Sequence, residues 1–202
     1  MKQSFRVCLT LVMLLGSSGV SSAADFLRGL SAHKQGDFKA ALREYKPLAE
    51  QGDARAQSLL GGMYEMGHGV PQDDKAAVKW YRLAAEQGNM YAQYHLGAMY
   101  DLGQGVAQDD KAAVKWYRLA AEQGDASAQN KLGWMYGSGR GVPRDHVYAY
   151  MWFNLAAASG NEQAVKTRDY LAKDMTSAQI GKAQSLATEC IRKKYKGCES
   201  DY

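Results

Sequence analysis

The sequence has 202 residues and a formal net charge of +4 at pH 7, from 25 basic and 21 acidic residues. A balance this close to neutral does not predict nucleic-acid binding, and the length is enough for one domain with its own core. Four basic residues cluster near the C-terminus, where cations suit the end of a solvated helix: Arg192, Lys193, Lys194 and Lys196.

The first two dozen residues have the pattern of a secretory signal. A positive start precedes the apolar run at 7–15, and small residues follow it. We predict a signal peptide over residues 1–24, cleaved after Ala23 or Ala24. The apolar run is too short to span a bilayer as a helix, although a short membrane anchor is the alternative interpretation. Residues 25–202 are therefore expected in the periplasm or outside the cell, without a stable membrane span.

The strongest signal in the sequence is an internal repeat with a period of 36 residues. The segment QDDKAAVKWYRLAAEQG at 72–88 recurs without a change at 108–124. The same spacing separates glycines and tryptophans: Gly52, Gly88, Gly124 and Gly160, then Trp80, Trp116 and Trp152. A fixed period of this size indicates stacked supersecondary units, and we predict full units over 53–88, 89–124 and 125–160.

Each unit is predicted to contain two helices, of which the first begins at an N-cap residue: Asp53, Asn89 or Asp125. Apolar residues then follow at offsets of three and four, which places them on one face: Ala56, Leu60, Met63 and Tyr64, with counterparts one and two periods later. A glycine-rich bend ends this helix, because glycine adopts the left-handed conformation that closes a last turn: Gly67, Gly103 or Gly139.

The second helix begins at another acidic cap: Asp73, Asp109 or Asp145. Its apolar face combines small alanines with an aromatic pair, which is expected to fill the space between units: Trp80 with Tyr81, Trp116 with Tyr117, and Trp152 with Phe153. Every first helix also contains a central glycine, at a cost of about 1 kcal/mol relative to alanine: Gly61, Gly97 and Gly133. This repeated cost predicts that a backbone or an aromatic ring passes close to each glycine.

The two ends of the array depart from the consensus, as capping units do. Residues 26–52 are predicted to be a degenerate first unit, in which Gly29 corresponds to Gly61. Pro47 is expected to kink the second helix of this unit or to tighten its last turn.

Residues 161–202 are predicted to form capping helices at the other end. Thr176 and Gln179 form a capping box that opens the last helix. We expect this helix to run to about Lys194 and to lay an apolar stripe on the last repeat: Ile180, Ala183, Ala187 and Ile191.

Two cysteines lie outside the predicted signal peptide, Cys190 and Cys198. An exported protein with two neighbouring cysteines usually joins them in a disulfide. Continuous helix would separate their Cα atoms by about 12 Å, whereas a disulfide tolerates about 4.4–6.8 Å. A disulfide therefore requires the helix to end between them, with Gly197 as the expected turn, and two free thiols are the alternative.

The repeat pattern itself resembles a known family. The motif A-x-x-x-L-G-x-M-Y-x-x-G-x-G-V-x-x-D, followed by A-x-x-W-Y-x-x-A-A-x-x-G, closely resembles the Sel-1-like repeat, a relative of the tetratricopeptide repeat. The resemblance is strong over 53–160 and weaker over 26–52 and 161–195. It implies an all-α fold, a right-handed superhelical solenoid of antiparallel helix-hairpin repeats, which serves as a scaffold or adaptor for protein–protein interaction. Some exported bacterial relatives act in the envelope or in contact with a host.

The sequence contains no catalytic constellation, since it lacks G-x-S-x-G and H-E-x-x-H motifs and its duplicated residues include no plausible nucleophile. The histidines occupy four unrelated repeat positions and are expected to be isolated: His33, His68, His95 and His146. We therefore predict that the protein is not an enzyme and holds neither a cofactor nor a metal ion. The alternative follows from cysteine-rich relatives linked to β-lactams, and is a β-lactam-binding or weakly β-lactamase-like protein acting on cell-wall-related molecules. Their cysteines in each repeat are missing here.

Recognition is expected to use positions that vary between units, because framework positions are occupied with packing. Tyr91, Tyr94 and His95 gather at such positions on one first helix, and exposed tyrosines are favoured at protein interfaces. We predict that this surface lies on the concave side and receives an extended peptide or a helix of another protein. Covering the adjacent unit is the alternative role. The protein itself is predicted to be a monomer.

Overall fold

A computed structural model describes residues 18–199 of the chain, in which no strand is present. The helices in chain order are α1 Ser18–Lys34, α2 Phe38–Glu50, α3 Ala54–Met66, α4 Asp74–Glu86, α5 Met90–Leu102, α6 Asp110–Ala121, α7 Ala126–Ser138, α8 His146–Ala158, α9 Glu162–Leu171 and α10 Ser177–Arg192, with a 3₁₀ turn at Ala172–Asp174. Each helix from α1 to α8 packs against the next one along the chain, and α10 packs on α8. This arrangement confirms the predicted all-α solenoid of helix hairpins.

The predicted signal peptide lies outside the described residues as far as residue 17, and its predicted cleavage after Ala23 or Ala24 falls within α1. Both therefore stay predictions. Among the helices of residues 18–199, none combines the length and apolar character needed to cross a membrane.

The capping residues occupy the predicted places in all three full units. The N-cap side chains of α3, α5 and α7 each accept a hydrogen bond from a main-chain N–H of the first turn: Asp53, Asn89 and Asp125. Those of α4, α6 and α8 do the same: Asp73, Asp109 and Asp145. The first helices end at glycines in the left-handed region, with φ values of 69°, 69° and 75°: Gly67, Gly103 and Gly139. Both ends of each first helix, and the start of each second helix, are thus set by local chemistry.

An aromatic ring of each second helix lies directly over the central glycine of its first helix. A Cβ atom added to Gly97 would come within 2.8 Å of the Tyr117 ring. The corresponding distances are 2.7 Å from Gly61 to Tyr81, 2.6 Å from Gly133 to Phe153 and 2.6 Å from Gly29 to Tyr45. Hairpin α1–α2 therefore repeats the packing of the full units. The predicted close approach is confirmed, and an aromatic ring makes it.

The glycine bends add a main-chain contact between successive units, beside the packing of α4 on α5 and of α6 on α7. A Cβ atom on Gly105 would lie 2.3 Å from the carbonyl oxygen of Asp74, which opens the second helix of the preceding unit. Gly141 has the same relation to Asp110, also at 2.3 Å. Main chain therefore touches main chain at these two joints, and no larger residue fits there.

The expected role of the aromatic pair is only partly correct. Tyr81 and Tyr117 are fully buried, but Trp80 and Trp116 are only half-buried. Trp152 is fully buried, because α10 packs on α8 and the chain beyond α10 supplies a hydrogen-bond acceptor for the Trp152 indole. The tryptophan is thus covered only at the end of the array.

The C-terminal region follows the predictions with two differences. The capping box of Thr176 and Gln179 is present. Helix α10 ends at Arg192, because the chain leaves the helix through Lys194 and Tyr195, which have φ values of 54° and 64°. The turn therefore begins before Gly197.

Cys190 and Cys198 are joined in a disulfide with their Cα atoms 4.8 Å apart. Cys190 is buried in the apolar stripe of α10, whereas Ile191, which was expected there, is 50% exposed. At the other end, α2 continues through Pro47 to Glu50.

Candidate partner-binding surface

The three residues predicted to bind a partner form one cluster on α5, called here the aromatic surface: Tyr91, Tyr94 and His95. The His95 ring lies 4.1 Å from the Tyr91 ring and 5.2 Å from the Tyr94 ring, between centroids. Tyr91 is 47% exposed, while Tyr94 and His95 are half-buried. Tyr91 is therefore the member of the aromatic surface that is most accessible to a partner.

His95 is held in place from two sides. Its ring stacks on the buried ring of Tyr81, with centroids 5.1 Å apart and planes 17° apart. Its Nδ1 atom lies 3.3 Å from Oε2 of Glu65, and the same oxygen accepts a 2.6 Å hydrogen bond from the Tyr81 hydroxyl. The expectation of an isolated histidine is therefore wrong for His95. Because Tyr81 and Glu65 belong to the preceding unit, contacts within the chain itself hold the His95 ring in place.

The carboxylate of Glu65 makes this cluster sensitive to pH. Its hydrogen bond with His95 lowers the pKa of Glu65. Burial raises this pKa, but the hydrogen bond from Tyr81 lowers it further, so the net shift is downward. Burial, and then the Glu65 carboxylate, raise the pKa of Tyr81, so that hydroxyl remains a donor. The ionised form of Glu65 is the one that the fold stabilises.

Replacing Glu65 by glutamine is expected to lower the melting temperature most at neutral pH. A carboxylate whose pKa is depressed by folding stabilises the protein above its unfolded-state pKa, here 4.5, and that contribution is lost as pH falls through the folded-state value. The difference in melting temperature between wild type and Glu65→Gln should therefore shrink between pH 6 and pH 3. Glu50→Gln, at an exposed position of α2, is the control and should show no such trend. A constant difference for Glu65→Gln would contradict this assignment.

Tyr94 connects the aromatic surface to the next unit. Its ring lies 5.8 Å from the buried ring of Tyr117, whose hydroxyl lies 3.3 Å from a carboxylate oxygen of Asp101. Asp101 is buried and pairs with Arg140, which follows α7, at 2.9 Å. Tyr94 therefore combines packing with partial exposure, and both roles considered for it fit its position.

A further exposed aromatic residue was not predicted. Trp134 on α7 is 50% exposed and borders a shallow depression next to Asp101 and Arg140. Its repeat position holds Gly62 and Ala98 in the earlier units. Variation at this position was therefore a signal in the sequence that the prediction of the binding surface did not include.

Two other histidines are also not isolated. The ring of Phe38 stacks on His68 with centroids 4.0 Å apart and meets His33 edge-on at 5.2 Å. Burial lowers the pKa of His33, and the nearby His68 lowers it further. Among the residues that the structure describes, no group of three histidine, cysteine or carboxylate side chains is placed to hold a metal ion.

Comparisons with known proteins agree with the geometry of the hairpins. The family model of the Sel1 repeat matches residues 54–89, 91–125 and 126–161. A crystal structure of c5321, described as a protective antigen present in uropathogenic Escherichia coli strains and displaying an SLR fold, superposes with a TM-score of 0.79 at 32% identity. That match covers 90% of this chain and 41% of the antigen chain, so this chain spans less than half of its length.

A second solved structure, a Sel1 repeat protein from Oxalobacter formigenes, superposes with a TM-score of 0.71 at 30% identity. The match covers 84% of this chain and 74% of the other. No curated protein matches the sequence.

Proposed function

Because this chain belongs to the Sel1 repeat family, we propose that it is a scaffold that binds another protein through the aromatic surface on α5. The proposal rests on one observation: an accessible tyrosine, Tyr91, stands on a histidine that is already fixed by Glu65 and Tyr81. Aromatic side chains that lose little freedom on binding contribute most at protein interfaces. Repeats of this family commonly form protein-interaction scaffolds rather than enzymes.

We further propose that the protein acts after export, in the bacterial envelope or in contact with a host. The predicted signal peptide over residues 1–24 supports export, and the Cys190–Cys198 disulfide is compatible with an oxidising compartment. The similar Escherichia coli protein is described as a protective antigen, which is consistent with exposure to a host.

A photo-reactive phenylalanine analogue at position 91 is expected to crosslink to one discrete partner in living cells. The same analogue at position 170 is the matched control, because Tyr170 on α9 is also exposed, at 69%, and lies outside the aromatic surface. With the crosslinked partner purified, Tyr91→Ala should weaken binding about tenfold, the order expected for an interface anchor, and Tyr170→Ala should leave it unchanged. Melting temperatures verify that both variants are folded. Identical adducts from the two positions, or unchanged affinity of Tyr91→Ala, would place the partner elsewhere.

A further inference from the structure

The chain beyond α10 folds back onto the last two full units. The disulfide fixes Cys198 to α10, and the main-chain N–H of Gly197 donates to a carboxylate oxygen of Glu122 at 3.2 Å. The ring of Tyr195 lies against Gly124, in the loop after α6. The segment from Tyr195 to Glu199, called here the tail, therefore turns back and packs against the array.

The tail ends in a carboxylate that is buried in a polar cradle. The Glu199 side chain is 9% exposed, accepts a 2.9 Å hydrogen bond from the Trp152 indole and forms an ion pair with Arg118. Arg118 also donates to the Tyr136 hydroxyl at 3.3 Å. Burial alone would lower the pKa of Arg118, but Glu199 and Tyr136 keep it above its usual value. The residues Arg118, Tyr136 and Trp152, called here the filled cradle, thus bind a carboxylate through a guanidinium and an indole.

The same three residue types recur one period earlier as Arg82, Tyr100 and Trp116, called here the open cradle. Arg82 donates to the Tyr100 hydroxyl at 2.7 Å, as Arg118 does to Tyr136. Within residues 18–199, no carboxylate pairs with Arg82 and no acceptor meets the Trp116 indole. Trp116 is half-buried where Trp152 is fully buried. The open cradle therefore has the donors of the filled one without its ligand.

We propose that the open cradle binds a glutamate or aspartate side chain in a peptide segment of another protein, as the filled cradle binds Glu199. Glu86 is exposed and lies one period before Glu122. Glu122 accepts the main-chain N–H of Gly197, two residues before Glu199. Glu86 is placed to accept the equivalent N–H of the ligand, two residues before the acidic residue that enters the open cradle. The ligand is accordingly a peptide with a small residue two positions before its acid. A second copy of this chain does not supply it, because the disulfide retains each tail in its own cradle.

Lysine replaces arginine at the corresponding position of the preceding unit, where Lys46, Tyr64 and Trp80 occupy the register of the cradle. A lysine ammonium lacks the planar fork that binds a carboxylate with two parallel bonds. The open cradle with Arg82 is therefore the preferred site.

Indole resonances of the intact, oxidised protein labelled with ¹⁵N test the proposal directly. The probe is a peptide with the sequence of residues 196–200, blocked at both ends and with serine in place of Cys198. We expect the Trp116 indole to shift saturably while the Trp152 indole, already bonded to Glu199, does not. Arg82→Gln should weaken binding about tenfold or more, the factor expected for a charged hydrogen bond. Arg43→Gln, at an exposed position of α2, is the matched control.

Several results would overturn the proposal. They are an unmoved Trp116 resonance, an equal response to a peptide with glutamine in place of glutamate, and unchanged binding by Arg82→Gln. Acetate that binds as tightly as the peptide would also overturn it, because Glu86 would then have no part. Equilibrium sedimentation at the same concentration must show a monomer, since dimers would assign the cradle to a second copy. Crosslinking at position 91 is independent of Arg82, so the two proposals fail separately.

Discussion

Replacing Gly105 by alanine is expected to destabilise the protein by about 2–5 kcal/mol, the sum of a left-handed backbone conformation and an overpacked contact. Gly105 has a φ of 65°, which alanine adopts only with strain. Its Cβ atom would also lie 2.3 Å from the carbonyl oxygen of Asp74. The Gly105 backbone and the Asp74 carbonyl both belong to the main chain and cannot rotate away as a flexible side chain would. The bend or the start of α4 must therefore move, and the contact between the two units opens.

Gly88→Ala separates these two contributions. Gly88 has a φ of 86°, and nothing lies within 4 Å of a Cβ atom at this position. Its replacement should therefore cost only the backbone conformation, about 1–2 kcal/mol. Urea unfolding followed by circular dichroism measures both variants. Equal losses for Gly105→Ala and Gly88→Ala would show that the bend does not rest on the preceding unit.

Gly97→Ala is expected to destabilise the protein by about 2 kcal/mol, although alanine favours a helix over glycine by about 1 kcal/mol. The added methyl group would lie 2.8 Å from the Tyr117 ring. That ring is fully buried and its hydroxyl is bonded to Asp101, so it has no free direction in which to move. The clash therefore outweighs the gain in helix propensity.

Gly181→Ala is the matched control for Gly97→Ala. Gly181 lies inside α10, and nothing is found within 4 Å of its would-be Cβ atom. This substitution should stabilise the protein by about 0.5–1 kcal/mol, because only the helix propensity changes. The two variants thus differ in the sign of the change in unfolding free energy. Stabilisation by Gly97→Ala would contradict the ring contact.

The fold could be predicted from the sequence because its determinants are local and repeated. Asp73 caps a helix with its own side chain, and Gly67 ends one with its own backbone, so a single unit contains the information. The glycine at the centre of each first helix also predicted the close approach of a neighbouring group, which is an aromatic ring. The burial of Trp80 and Trp152 was less predictable. The two tryptophans occupy the same repeat position, but α10, which is not part of the repeat, covers only the last unit.

The candidate sites were only partly predictable. Variation between units led to Tyr91 and Tyr94, but the partner of His95 is Glu65, thirty residues earlier and in another unit. The cradle for Glu199 was missed altogether, since this residue follows the last repeat and meets Trp152 from 47 positions away. Its Arg118, like Arg82 of the open cradle, was visible in the identical segments, but a repeated arginine indicates no ligand by itself.

The tail gives the solenoid unequal ends. At the C-terminal end, the tail residues Gly197, Cys198 and Glu199 are bonded to three elements of the array: Glu122 after α6, Cys190 on α10 and Trp152 on α8. At the N-terminal end, α1 is packed on α2. Because an array held by neighbour contacts loses its units sequentially, unfolding should start at α1 and proceed toward the C-terminal end, which the tail holds together. Under proteolysis or mechanical load the hairpins should therefore unfold in chain order, and the units that bind the buried Glu199 carboxylate should unfold last.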